Sequence, residues 1–453
     1  MKIRALLLLL FLISAGNFPT SDAGEAELAR LLEILQANGT ITAEQYRELI
    51  GALQSAPLQD PGPRPQPAPR ARIEIGDDPA EVIVSSAKGG VEVSSYDGES
   101  SFELGGLVVL DLAHFSEEGP GDGAELRRAR LDIQGSYLAD FGYALEVDFA
   151  GDEVDLGDVY LEYLGWYPYR VRIGQIKEPF GLERQTSSRY LSLMERALPN
   201  ELAPGRSLGV GLQRFGSDWT LAAGLFAQSL NSAADDQVDQ GWGVSARATY
   251  TPLQSETRLL HLGLSGAYRS VNAGDYLRFE SRPEAHKSEQ DYLDTGKKEI
   301  DNAQSLSRLG LELAATWGAL SLQGEYIQAV VDQRRDEPSL NFSGWYLQGS
   351  WFLTGESRSY EPQQGVFGRI HPRHFHGAWE LALRVSELDL DDENISGGRE
   401  RNYTFGLNWY LNPNVRLMAN YIRAEFDRAA RSNGDLESGS DLDILQMRVQ
   451  AEF

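Results

Sequence analysis

The sequence predicts an all-β fold, a transmembrane antiparallel β-barrel of about 16 strands with an inward constriction loop, preceded by a short N-terminal helical hairpin. Three observations carry this prediction. Segments of about ten residues alternate apolar and polar side chains, the period of a strand with unlike faces. Tight turns alternate with long, polar connections. Aromatic residues gather at segment ends, at Trp166, Tyr167, Tyr169, Trp317, Trp351, Trp409 and Tyr410, where amphipathic rings sit at a membrane–water boundary.

The chain opens on MKIRALLLLLFLISAGNFPTSDAG, with Lys2 and Arg4 ahead of an apolar run from Ala5 to Ala15 and small residues up to Ala23. The run is shorter than the roughly 20 residues a spanning helix needs, so residues 1–23 read as a cleaved signal peptide. In residues 24–56, Leu28, Leu31, Leu32 and Leu35 recur at helical spacing, Asn38-Gly39 breaks the helix, and Thr42 with Gln45 caps a second one. This predicts a periplasmic helical hairpin, which either packs its apolar stripe on a partner or forms a weakly ordered leader. Residues 57–100, with PLQDPGPRPQPAPR at their head, read as a Pro-rich linker and leader. The barrel is assigned to 101–453.

Within the barrel, LRRARLDIQGSYL sets Ala129, Leu131 and Ile133 against Arg128, Arg130, Asp132 and Gln134. YALEVDFA and DVYLEYLG repeat the pattern, as do later segments down to the closing LQMRVQAEF, where Leu445, Met447, Val449, Ala451 and Phe453 share a face. A soluble sandwich would bury such apolar faces together, whereas a membrane barrel turns them to lipid around a wet lumen. The export signal, the strand length, the turn-and-loop alternation and the aromatic ends favour the barrel. A mean hydropathy of −0.36 agrees, because half of every barrel strand is polar. Stretches 231–241, 283–304 and 390–401 read as long acidic loops. Some 350 residues at about 22 per strand give the strand number. Closure requires the last strand to pair with the first, since only a closed sheet satisfies its backbone in lipid.

A net charge of −26 argues against nucleic acid as a partner. The absence of cysteine excludes disulfides and thiolate metal sites. HPRHFH holds His371, His374 and His376 but fits no metal-ligand spacing, and reads as a turn or loop cluster. No catalytic motif stands out, so no enzyme, cofactor or metal is expected. An outer-membrane barrel enzyme stays the weaker alternative.

One region does not read as strand. Between Arg170 and Gln213, the stretch RQTSSRYLSLMERALPNELAPGR carries Ser187 and Ser188 as a helix cap and RYLSLMERAL as a short helix, bounded by Pro179, Gly181 and Pro204-Gly205. A connection this long is either an external loop or one folded into the lumen. GQIKEPFGLERQTSS, LMERALP and APGRSLGVGL, with LRRARLDIQG, SRPEAH, FLTGESRSY, GAWELALRVSELDL and GLNWYLN, resemble the phosphate-selective porin O and P family of bacterial outer membranes. The resemblance implies a sixteen-stranded, homotrimeric outer-membrane porin whose third loop narrows the pore.

Carried over by motif, the family's anion site falls on the paired Arg127 and Arg128, on Asp158, on Arg184 in place of a lysine, and on Ser187 and Ser188. Guanidinium forks and hydroxyls replace part of an anion's hydration shell. Strand parity adds Arg130, Arg170, Arg172, Arg247, Arg384 and Arg448 to the lumen, opposed by Asp132, Glu146, Asp148, Asp158, Glu162, Glu312 and Glu380. The first strand, FELGGLVVLDL, has no arginine on its lumen side, and the lumen charge is mixed. The expected function is an outer-membrane diffusion channel for small hydrophilic solutes, inorganic phosphate or other anions among them. Expected partners are outer-membrane lipid, lipopolysaccharide, two further copies, and the barrel assembly machinery through Phe453. The alternative is a structural tether that uses the periplasmic leader.

Overall fold

The computed structural model describes residues 70–75, 78–85, 90–116, 122–151, 153–230, 240–288, 290–296, 299–426, 431–432, 435–436 and 441–453. The expected signal peptide (1–23), helical hairpin (24–56), the head of the Pro-rich linker and most of loop 231–241 lie outside these residues.

Sixteen antiparallel strands form one closed barrel. In chain order they are β1 Ser101–Phe115, β2 Gly123–Tyr137, β3 Phe141–Asp148, β4 Asp155–Tyr163, β5 Tyr169–Lys177, β6 Arg206–Phe215, β7 Trp219–Phe226 and β8 Gln240–Gln254. They continue with β9 Arg258–Val271, β10 Ala303–Trp317, β11 Leu320–Gln333, β12 Leu340–Phe352, β13 Ala378–Asp392, β14 Ile395–Tyr410, β15 Val415–Phe426 and β16 Leu442–Glu452. Each strand pairs with the next, and β16 closes on β1 from Ile444 opposite Phe115 to Glu452 opposite Leu107. Below that seam, Val91–Ser95 continues along the same edge of β1 and carries two more short strands, Asp78–Ser85 and Arg70–Ile75. Part of the span expected as linker and leader is therefore sheet.

The alternation holds as predicted. On β1 the inward Leu107, Val109 and Asp111 are buried while the outward Val108, Leu110 and Leu112 are exposed. The outward rows Leu208, Val210, Leu212 on β6 and Leu309, Leu311, Leu313 on β10 repeat this. These rows are the lipid face. Of the aromatics expected at the boundary, Trp166, Tyr167, Trp317 and Trp351 are exposed at the turn end. Tyr410 turns inward instead, where its hydroxyl donates to Glu380 at 2.7 Å. A phenol whose partner is a buried carboxylate is held inside by that bond.

Two loop expectations need correction. Residues 390–401 are mostly strand, with β13 and β14 joined by Glu393 and Asn394 alone. Their charges pair across the hairpin, Arg399 with Asp389 at 2.9 Å and Arg401 with Glu387 at 2.7 Å. Such cross-strand pairs extend a hairpin that composition alone assigns to loop. At the turn end, where connections are otherwise short, residues 353–377 form a long one that folds inward. Its Gln363 side chain accepts from Arg170 at 2.8 Å, and Arg247 donates to the Gly365 carbonyl at 2.8 Å. Phe367 packs against Leu182, Leu259 and Ala314 inside the barrel. The three histidines of HPRHFH lie exposed in this connection, His374 stacked on His376 at 5.2 Å.

Candidate anion passage

The connection between β5 and β6, residues 178–205, folds into the lumen. It carries one helical turn at Leu182–Gln185, not a helix over RYLSLMERAL. Ser187 caps only a single tight turn at Ser188–Tyr190, its Oγ accepting from the Arg189 amide at 3.4 Å. The barrel wall explains the missing helix, because it takes the carbonyls a helix would use. Gln450 donates to the Arg189 carbonyl at 3.1 Å, Arg416 to Leu191 at 2.6 Å, Asn408 to Ser192 at 2.7 Å, and Arg384 to Glu195 at 3.0 Å. Arg448 donates to the Met194 carbonyl. Backbone acceptors satisfied from outside leave the segment extended.

The other half of the loop is packed as well as hydrogen-bonded, the Leu182 and Glu183 amides donating to Glu325 at 2.7 Å. Phe180, Leu198 and Leu202 join Phe279, Leu293 and Ile300 of the connection after β9 against Phe342 and Leu388 of the wall. Glu284 from that second inward loop accepts from Arg384 at 2.5 Å and from the Leu198 amide at 3.3 Å, tying both loops to β13. The lower lumen stays open along the opposite wall, β1 to β6.

A second cavity lies above it, between the start of β6 and the loop ends of β9 and β10. The upper, about 260 Å³, opens toward the loop end, and the lower, about 430 Å³, continues toward the turns. Arg206, the first residue of β6, lines both. Eight Lys and Arg face the lower cavity against six Asp and Glu, and five face the upper against two. The passage is locally cationic although the whole chain carries −26.

Most lower-cavity charges are paired along the wall. Arg130 binds Asp148 at 2.8 Å and Glu146 at 3.1 Å, and Arg206 binds Glu146 at 3.1 Å and Asp158 at 2.7 Å. Arg172 binds Glu162 at 2.7 Å, Arg189 binds Asp132, and Arg369 from the inward turn binds Glu452 at 3.2 Å. Three cations have no carboxylate at ion-pair distance among the described residues. Lys177 donates only to the Gln185 carbonyl, Arg196 only to the Glu183 and Thr186 carbonyls, and Arg128, 7% exposed, has no hydrogen-bond partner.

The sequence-derived site residues are distributed as follows. Arg128, Arg130, Asp158, Arg172, Ser187 and Ser188 line the lower cavity. Arg127 also turns inward, because the register slips between Val109 and Leu110 and makes it the extra residue of a β-bulge. It is spent on Glu195 at 3.1 Å. Arg184 sits in the upper cavity, bonded to the Pro204 carbonyl at 3.1 Å. Arg170 lies near the turn end over Phe215, and Arg247 and Arg384 are buried in ion pairs with Glu312 and with Glu183 and Glu284. Sequence reasoning missed Lys177, Arg189, Arg196, Arg206 and Arg369. Parity points away from Lys177 and Arg206, which share the period of the outward Ile173 on β5 and of the outward Leu208, Val210 and Leu212 on β6, and both reach the lumen from strand ends beside the inward loop.

Glu195 and Glu201 mark opposite electrostatic settings on the inward loop. Burial alone would raise Glu195, but Arg127, Arg448 and Arg128 around it hold it well below the usual carboxylate range. Burial pushes Glu201 up, and Arg184 only partly opposes it.

Residues 105–453 match the family described as phosphate-selective porin O and P. The chain belongs to that family. The porin is 28% identical to Porin O of Pseudomonas aeruginosa over 422 residues, 83% of this chain and 93% of that one. It is 29% identical to an uncharacterized protein of Caulobacter vibrioides over 430 residues, 88% of this chain and 84% of that one. Among solved structures it resembles an anion-selective porin from Comamonas acidovorans, with a TM-score of 0.54 at 14% identity over 78% of this chain and 100% of that one. The outer membrane channel DcaP of Acinetobacter baumannii gives 0.50 at 11% identity, over 80% and 99%. The porin is an outer-membrane channel, and both its family and its fold are those of a channel rather than an enzyme.

Proposed function

We propose that this porin passes small hydrophilic anions, inorganic phosphate among them, by passive diffusion with a modest preference over cations. The observation that carries the reading is the set of three cations without carboxylates, Arg128, Lys177 and Arg196, beside the hydroxyls of Ser187 and Ser188 in the lower cavity. An oxyanion finds charge and donors there. The paired remainder of the wall leaves a weak field, so the anion is held briefly and released. Arg127 and Asp158 act as supporting charges, and Arg184 acts above the constriction rather than in it.

A homotrimer, contacts with lipopolysaccharide, and recognition of Phe453 by the barrel assembly machinery belong to the same reading. Family membership supports the first. The alternating face of Leu445, Met447 and Val449 ahead of Phe453 supports the last. Planar-bilayer recordings with chloride, phosphate and neutral sugars as competing solutes test the proposal. Phosphate should reduce the chloride current while sugars of similar size do not, and equal effects of both would reject it.

A further inference from the structure

At the turn end, the connection before β13 leaves the lumen and returns to the outer rim of the barrel. The Trp409 indole, on the lipid face of β14, donates to the His376 carbonyl at 3.0 Å and marks that rim. The Gly377 amide donates to the His374 carbonyl at 3.0 Å, closing a tight turn with Phe375 at its tip, fully exposed. A whole phenyl ring left in water is unfavourable. The residues around it are basic, although the chain carries −26. Arg369, His371, Arg373, His374 and His376 fall in 362–379, a stretch without Asp or Glu. Arg369 is spent on Glu452, whereas the exposed Arg373 guanidinium has no carboxylate at ion-pair distance among the described residues. The buried Glu356 accepts from Thr354 and from the Arg373 amide at 3.0 Å, so it holds the backbone of the turn and not that guanidinium.

Beside this tip, a shallow groove of about 760 Å³ crosses the closing seam on the lipid face. Trp379 and Trp409, stacked at 5.1 Å, stand at its turn end. Its floor is Ala419, small where Leu407 and Met447 flank it on β14 and β16. We propose that tip and groove together form a site for one phospholipid of the inner leaflet. The Arg373 guanidinium takes the headgroup phosphate, Phe375 enters the leaflet, and one acyl chain lies in the groove over Ala419. Short connections mark the periplasmic end of a barrel, where that leaflet lies. Charge, aromatic pair and apolar groove follow one another up the wall in the order of phosphate, glycerol and acyl chain. Tryptophans sit at that boundary, and a guanidinium fork matches a phosphate. A second copy seated on the groove would not by itself account for the bare Phe375 and the unpaired Arg373. The site lies outside the lumen, so it stands apart from the anion reading of the passage.

Native mass spectrometry of the full-length porin in dodecyl maltoside, titrated with phosphatidylglycerol, tests it. The native protein should retain phosphatidylglycerol against the detergent. Arg373→Gln should raise the half-saturating lipid concentration about tenfold, the loss of one charged hydrogen bond. Phe375→Ser should raise it by a similar factor through lost apolar burial, and so should Ala419→Phe, which fills the floor of the groove. Chloride conductance in a planar bilayer should stay native in all three, because none of these residues lines the passage. The chain has no cysteine, so Phe375→Cys carries a single nitroxide. In vesicles containing phosphatidylglycerol that label should be open to oxygen and shielded from a water-soluble nickel reagent. Equal retention by the native protein and the three variants, or a nitroxide fully open to the nickel reagent, would overturn the site. A smaller share of oligomer in Ala419→Phe, with phosphatidylglycerol binding unchanged, would give the groove to a second copy and overturn it as well.

Discussion

Arg448 on the last strand and Asp111 on the first lock together across the seam that closes the barrel, with Nε to Oδ1 at 2.7 Å and Nη2 to Oδ2 at 2.6 Å. The same guanidinium reaches Glu195 at 2.6 Å and the Met194 carbonyl. One side chain therefore ties barrel closure to the seat of the constriction loop. The bidentate fork fixes direction as well as attraction, which a lysine could not do.

Replacing Arg448 by alanine strands the buried Asp111 and leaves Glu195 with Arg127 as its remaining ion-pair partner. The expected loss is about 3–5 kcal/mol, the range for breaking one partner of a buried pair. Thermal unfolding in detergent measures it, followed by circular dichroism. Arg448→Lys should recover part of the stability, and an unchanged unfolding temperature for Arg448→Ala would contradict the shared anchor.

Glu195 neutralises arginines that otherwise face the passage. Its folded pKa is depressed, so its anchoring is present above the ordinary carboxylate value and is lost only as pH falls through the depressed one. Glu195→Gln removes the charge at every pH. Anion preference should rise, read as a larger reversal potential in a salt gradient, and an unchanged or smaller reversal potential would contradict that role.

Glu201 behaves with the opposite sign. Burial raises it, so on acidification it gains its proton earlier than an ordinary carboxylate of about 4.5. Loss of that charge beside Arg184 leaves the upper cavity more cationic. Anion preference should therefore increase on acidification, beginning above the pH at which an ordinary carboxylate titrates, and Glu201→Gln should flatten that dependence. A native profile flat on acidification would contradict the assignment.

Gly106 provides the seat of the last residue. Its amide donates to the Phe453 carbonyl at 2.8 Å and its carbonyl accepts from the Phe453 amide at 3.1 Å. A Cβ at 106 would meet the Phe453 ring and lie 2.8 Å from the Arg130 carbonyl. Gly106→Val should lower stability by about 1–3 kcal/mol, the usual penalty of overpacking. The fraction of folded barrel that resists detergent at rising temperature reports it.

The strand framework was legible because lipid and water impose opposite demands on alternate residues. The parity that assigns Arg128, Arg130 and Arg448 to the lumen survives in the structure. Legibility fails where tertiary contacts override local pattern. RYLSLMERAL has a helix's composition, yet wall donors such as Arg416 and Asn408 claim its carbonyls. Arg127 faces inward through a bulge that no period of two can announce. The charged 390–401 stretch becomes hairpin because Arg399 and Arg401 find acids opposite them. The inward turn at 353–377 was hidden for a related reason, since its anchors, Arg170 and Arg247, lie more than a hundred residues away.

The reversal potential of the purified channel in a potassium chloride gradient tests the central claim most directly. The unpaired Arg128, Lys177 and Arg196, set among paired charges, predict a steady ohmic conductance and a reversal potential of modest size with the sign of chloride permeation. A reversal potential near the potassium limit would contradict the account.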